Sequence, residues 1–174
     1  MILTEPSLKY EKQIASYRKE FLDDHSSMDG TGELRRTDDP KEWIRRSDLY
    51  KDPDTVPEGM VQATQYLFVR EEDQKIVGMI QIRHYLNDYL TKYAGHIGYS
   101  VAPSERRKGY ATQMLKRVLP ICRDLGLTRV LITCNEGNEG SKKTILHNGG
   151  KYESTVYEPD EGKNVERYWI DLCE

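Results

Sequence analysis

The chain has 174 residues, 37% hydrophobic and 32% charged, with 26 Lys plus Arg against 29 Asp plus Glu and a formal net charge of −3. That length suits one compact domain with a real core. The mildly acidic balance speaks against general nucleic-acid binding, which needs a basic face, and no apolar run is long enough to span a membrane.

Met1 to Thr4 reads as a short first strand, and the segment through Pro6 lacks the basic start and apolar core of a signal peptide. Pro6 and Ser7 open a helix to about Asp24, with Leu8, Ile14, Tyr17, Phe21 and Leu22 on a loose apolar face. Residues 25–39 carry Asp, Gly, Ser and Thr and read as a long loop, a kind of segment that is often functional. Pro40 to Tyr50 is predicted as a second helix, N-capped by Asp39, with Trp43, Ile44 and Leu49 as its apolar side. Pro53, Pro57 and Gly59 interrupt the chain again.

From Ala63 strands take over. Tyr66 to Val69 and Lys75 to Leu86 form a predicted hairpin about the polar turn Glu71–Gln74, and Gly95 to Val101 adds a third strand after a connection from Asn87 to Ala94. A helix from Lys108 to Leu125 follows, with Tyr110, Met114, Val118, Ile121 and Leu125 on one face, Pro120 inside it and Gly126 closing it. Thr128 to Thr133 reads as a buried strand, and Asn138 to His147 as a short helix. Tyr152–Tyr157 and Val165–Leu172 form a final hairpin around Pro159–Gly162. The order predicts a mixed α/β domain in which Gly95–Val101 and Thr128–Thr133 run parallel on either side of the central helix. The three cysteines, Cys122, Cys134 and Cys173, are odd in number and match no metal spacing, so a reduced, cytoplasmic protein without a metal is expected.

The most informative stretch runs from His96 to Ala111, where a strand ends in the short basic turn Ala102-Pro103-Ser104-Glu105-Arg106-Arg107-Lys108-Gly109-Tyr110-Ala111 and a helix follows at once. The first N–H groups of a helix have no internal partner and the helix dipole is positive there, so such a turn binds phosphate. Arg106, Arg107 and Lys108 add formal positive charge at the same spot. On an acidic chain, a local basic turn favours a small phosphorylated ligand over a polymer.

Arg106-Arg107-Lys108-Gly109-Tyr110-Ala111 resembles the R/Q-x-x-G-x-G/A signature of the GCN5-related N-acetyltransferases, the GNAT superfamily. Asn138-x-x-Ser141 followed by Asn148-Gly149-Gly150-Lys151 resembles that family's next helix. The hexapeptide alone is a weak signal; the strand before it, the helix after it and the downstream segment make it specific. The likeness covers about residues 64 to 172. It implies a mixed, mostly antiparallel sheet with a central, splayed parallel strand pair, flanked by helices. It implies a single domain, with residues 1–60 as a helical acceptor-side region and residues 61–174 as a CoA-binding core.

The resemblance further implies acetyl-CoA as donor. The backbone from Arg106 to Ala111, with Thr112 beside it, would grip the pyrophosphate. Tyr99, Ser100 and Val101 would lend main-chain groups to the pantetheine arm, which Asn138 and Ser141 would contact further along. The acceptor would be a small-molecule or peptide amine, with no nucleic acid, membrane or metal involved, and a homodimer is left open. A non-catalytic CoA-binding sensor is the alternative, because Ile145 stands where many relatives carry a tyrosine acid; Tyr152 or His147 are candidate substitutes. His96 is the candidate base, by position on its strand, with a hydrogen-bonded sheet histidine as the equal alternative. His147 suits a helix C-terminus, His84 a sheet surface and His25 a solvated loop. Cys134 is either an acyl-carrying thiol or, the favoured reading, a buried small side chain. Asp23, Asp24, Asp29, Glu33, Asp38 and Asp39 either attract a cationic acceptor or simply solvate their loop.

Overall fold

The computed structural model describes residues 1–172, so Cys173 lies outside the described residues. Strand β1 (Ile2–Thr4) leads through a 3-10 turn at Leu8–Tyr10 into α1 (Glu11–Asp24). The helix starts later than Pro6 and Ser7 suggest, because Ser7 makes no side-chain cap bond and the first turn is 3-10. In the apolar stripe Tyr10, Ile14, Tyr17 and Phe21 recur every three or four residues, and all four are buried. Helix α2 (Pro40–Lys51) starts as read, with Asp39 Oδ1 accepting from the Lys41 N–H at 2.9 Å.

Strands β2 (Ala63–Arg70), β3 (Lys75–Arg83) and β4 (Ile97–Val101) continue from β1 as one antiparallel sheet in the order β1-β2-β3-β4. β3 stops at Arg83, short of Leu86, and a π-helical turn at Leu90–Ala94 fills the connection to β4. Helix α3 (Tyr110–Asp124) crosses to β5 (Arg129–Asn135). Then come α4 (Glu139–His147), β6 (Lys151–Glu158) and β7 (Lys163–Asp171), giving a second antiparallel sheet in the order β5-β7-β6. One core, including Ile80, Ile82, Met114, Val118, Val130 and Tyr168, lies between the strands and α3. The other, including Ile14, Phe21, Trp43, Leu67 and Met79, packs α1 and α2 on the opposite face of the first sheet. Among the described residues no helix is long and apolar enough to cross a membrane.

No hydrogen-bonded ladder joins Gly95–Val101 to Thr128–Thr133: among the described residues the sheets meet at a single antiparallel bridge, Gly95 to Ile132. Gly95 sits at φ 68°, with Leu131 O close against its Cα, and the chain turns through this contact before β4 begins. Beyond it β4 has β3 as its only ladder partner among the described residues, which leave its other edge free. The loop of residues 25–39 is also more firmly held than its composition suggests. Met28, Thr31, Leu34 and Thr37 are buried, and Trp43 Nε1 donates to Thr31 O at 2.9 Å.

Candidate functional site

The gap between the sheets is a cavity of about 1080 Å3. Its wall includes residues of the loop after α1, the free edge of β4, the basic turn, the first turns of α3 and α4, and the β6–β7 hairpin. Gly30 anchors the loop against Gly98: a Cβ on Gly30 would stand 2.1 Å from Gly98 O.

The basic turn forms an anion nest. Gly109 caps α3 in the left-handed region at φ 78°, and Arg107 is left-handed too at φ 62°. The first helical bond is Gln113 N–H to Gly109 O at 3.1 Å, and no N–H of residues 107–112 finds an acceptor among the described residues. This row of open donors at a helix N-terminus is what a phosphate needs. The side-chain charge differs from the expectation. Arg106 pairs with Asp24 at 3.0 Å and donates to Ser26 Oγ at 2.7 Å. Lys108 is spent on Glu105 at 2.9 Å and is off the cavity wall. Glu105 is buried beneath the turn, and hydrogen bonds from Arg70, Lys108 and Lys75 hold its carboxyl down at about 2. Only Arg107 of the three cations makes no ion pair with the described residues. The backbone, more than the side chains, supplies the positive potential.

Tyr99, Ser100, Val101, Arg106, Arg107, Gly109, Tyr110, Ala111, Thr112, Asn138 and Ser141 all stand on this one wall. Asn138 N-caps α4, its Oδ1 accepting from the Ser141 N–H at 3.1 Å, which leaves both Nδ2 donors for a ligand. The side chain of Tyr99 was not singled out by sequence, yet its hydroxyl sits 2.8 Å from Ser141 Oγ and ties β4 to α4. Burial raises its pKa well above the usual phenol value. Ser100 Oγ is 3.1 Å from Tyr17 OH, which fastens β4 to α1.

The family model for the acetyltransferase (GNAT) family matches residues 28–149. The chain is a GNAT acetyltransferase. Its fold is shared with the ribosomal-protein-S5-alanine acetyltransferase of Vibrio fischeri, at 16% identity and a TM-score of 0.71 over 98% of this chain and 92% of that one. The microcin C7 self-immunity acetyltransferase MccE, solved with acetyl-CoA and AMP, superposes with a TM-score of 0.70 at 19% identity, covering 97% and 91% of the two chains. A spermidine N-acetyltransferase SpeG variant from Vibrio cholerae follows at 0.65 and 12% identity, covering 99% and 95%. No curated protein matches in sequence.

In this acetyltransferase the expected base is not on the cavity wall. His96 is buried, its Nδ1 accepts the Leu131 N–H at 2.9 Å, and its ring lies 6.3 Å from that of Trp169. Burial, helped by the nearby Arg83 charge, pushes its pKa down to about 4. His96 is therefore a neutral clasp at the joint between the two sheets. This has a pH signature. The unfolded chain takes a proton near 6.5 that the folded chain refuses until about 4. The stability His96 contributes is therefore full above 6.5 and is lost as pH falls through that window. Unfolding free energy followed from pH 7 to 4 should drop by roughly 1–3 kcal/mol in the native protein and by clearly less in His96→Gln. Equal slopes in both proteins would remove His96 from that role.

Ile145 is fully buried against Gly150, so the tyrosine position offers no hydroxyl. Tyr152 is exposed and bonded to Thr155, away from the cavity, whereas His147 is on its wall with Nδ1 2.8 Å from Lys143 O. His84 pairs with Thr64 at 2.9 Å on the sheet, and His25 is the left-handed cap that ends α1. Cys134 is on the wall, but burial pushes its thiol up to about 11. Among the described residues no cluster of His, Cys, Asp and Glu could hold a metal ion.

Proposed function

We propose that this protein moves the acetyl group of acetyl-CoA to a primary amine by direct attack. The observation that carries the reading is the row of acceptor-free N–H groups at residues 107–112, at the head of a cavity of about 1080 Å3. Those groups, with Arg107, suit a pyrophosphate. The free edge of β4 from Tyr99 to Val101 suits the amides of a pantetheine arm added like a strand, and Asn138 Nδ2 extends that contact. That MccE was solved with acetyl-CoA supports the choice of donor.

Acetyl-CoA supplies the activated thioester, and the chain must take a proton from the amine and stabilise the negative charge on the departing sulfur. Asp29, exposed on the cavity wall beside the Gly30–Gly98 contact, is positioned to take the proton from an ammonium acceptor. The Tyr99–Ser141 hydroxyl pair keeps its protons at neutral pH and is positioned to stabilise a departing thiolate by hydrogen bonding. A thiol held near 11 is a poor nucleophile, so Cys134 favours direct attack over an acyl-cysteine route. Residues 1–60 reach the cavity through Phe21, which lies against Arg106 beside the nest, and through Asp29 and Gly30 of the loop after α1, which face the acceptor side. Cys122 and Cys134 are free thiols, in keeping with a reduced, cytoplasmic setting.

The test is acetyl-CoA-dependent thiol release across a broad panel of primary amines. Release with at least one amine, saturable in both substrates, is expected. Tight acetyl-CoA binding without release for any amine would instead favour a CoA-binding sensor.

A further inference from the structure

The nest lies past one end of β4; Arg83 lies at the other. It closes strand β3, its backbone N–H donates to His96 O at 2.8 Å, and its side chain stands on the cavity wall. Nη1 donates to Gly95 O at 3.0 Å and Ala94 O at 3.4 Å. Nε and Nη2 have no acceptor among the described residues, and no carboxylate there lies within ion-pair distance of the guanidinium. Burial lowers its pKa from the usual value, and the charged neighbour that opposes this most is Asp29. The side chain that shares its surroundings, His96, is neutral.

A half-buried cation with no carboxylate within ion-pair distance carries a desolvation cost that an incoming anion relieves, and an arginine anchored by two carbonyls presents its remaining edge in a fixed direction. The Nε–Nη2 edge of a guanidinium matches the two oxygens of a carboxylate. Gly98 beside it keeps the approach clear: a Cβ there would stand 3.7 Å from Nη2 and 3.2 Å from Gly30 Cα. Asp29, on the same wall, offers the opposite charge.

We propose that Arg83 is a specificity-determining residue of the acceptor site, and that the acceptor is an amino acid whose carboxylate pairs with Arg83 while its amine faces Asp29. A polyamine would set a cation against this guanidinium; an amino acid supplies the missing anion. The inference rests on the acetyl-transfer reading above and narrows its acceptor.

The experiment compares kcat/KM for amino acids, their primary carboxamides and the corresponding decarboxylated amines at saturating acetyl-CoA. In the native protein the acid is expected to exceed its amide by about tenfold or more, the scale of one charge-assisted contact. In Arg83→Gln that ratio should fall towards one with the KM for acetyl-CoA unchanged, and Arg83→Lys should retain part of it. The ratio in the native protein decides the matter even if a variant folds poorly. Equal use of acid and amide, a ratio unchanged in Arg83→Gln, or turnover of amines but of no acid would overturn the assignment of Arg83 and leave acetyl transfer standing. Calorimetric binding of acetyl-CoA with no thiol release across the whole panel would overturn acetyl transfer, and this proposal with it.

Discussion

Gly109→Glu should lower affinity for acetyl-CoA by about a hundredfold or more while the protein remains folded. Two costs must be separated. The first is conformational. Gly109 holds φ 78°, and a side chain there loses roughly 1 kcal/mol or somewhat more in the left-handed region. Space is not the obstacle, since the nearest atom to a Cβ at Gly109 is Gln113 Nε2 at 4.0 Å. Such a loss is small beside the stability of a domain of this size, about 5–15 kcal/mol.

The second cost falls on the ligand. A carboxylate attached at the helix cap is itself an anion next to six open N–H groups, and it occupies them at an effective concentration no free ligand matches. It also repels a pyrophosphate. Gly109→Ala carries the conformational cost without the charge and should lose far less affinity. Calorimetry with acetyl-CoA, alongside circular dichroism of both variants, separates the two. If Gly109→Glu bound acetyl-CoA like the native protein, the nest would not be the donor site. The same logic predicts that neutralising Lys108 matters little, because its charge is already spent on Glu105.

Pairing of this kind, in which Lys108 joins Arg70 and Lys75 on the buried Glu105, is beyond what local sequence encodes. The backbone devices were legible: apolar periodicity gave α1 and α3, Asp39 before Pro40 gave the cap of α2, and a glycine-bearing turn between strand and helix gave the nest. Each depends on residues within a few positions of one another. The side-chain bookkeeping was not legible. Arg106 is neutralised by Asp24, 82 positions away, and only the folded loop after α1 brings them together. His96 and Leu131 are 35 apart and meet because the sheets touch at one point. A histidine on that strand is as compatible with a base as with a clasp until the partner is seen. The sequence implicates only the main chain of Tyr99, since nothing local indicates that its hydroxyl reaches Ser141 across the cavity. Arg83 offered one faint local sign, a charged residue closing the otherwise largely apolar run Ile76–Ile82.

The largest stability effect is expected at Gly95. Its φ of 68° and ψ of −167° belong to a region that essentially only glycine occupies. A Cβ would sit 2.3 Å from Leu131 O and 2.8 Å from Leu131 C, and backbone atoms cannot yield as a flexible side-chain tip can. Gly95→Ala must therefore open the joint between the sheets. Three contacts converge there: His96 N–H to Leu131 O at 2.7 Å, Leu131 N–H to His96 Nδ1 at 2.9 Å, and Arg83 Nη1 to Gly95 O at 3.0 Å. Backbone strain and overpacking each cost about 1–3 kcal/mol, so a combined loss of about 3–5 kcal/mol is expected. For a chain of this length that lowers the thermal midpoint by roughly 10 °C or more.

The functional consequence should be uneven. The nest is at the far end of β4 and is held by its own network around Glu105, so acetyl-CoA affinity below the new midpoint should change little. Arg83, which loses a carbonyl anchor, should lose its grip on the acceptor. A midpoint that did not move would show that the two sheets are held apart and together by something other than this single bridge. A splayed pair of sheets opens a cavity only because they are pinned at one end, and Gly95 is the residue small enough to be the pin.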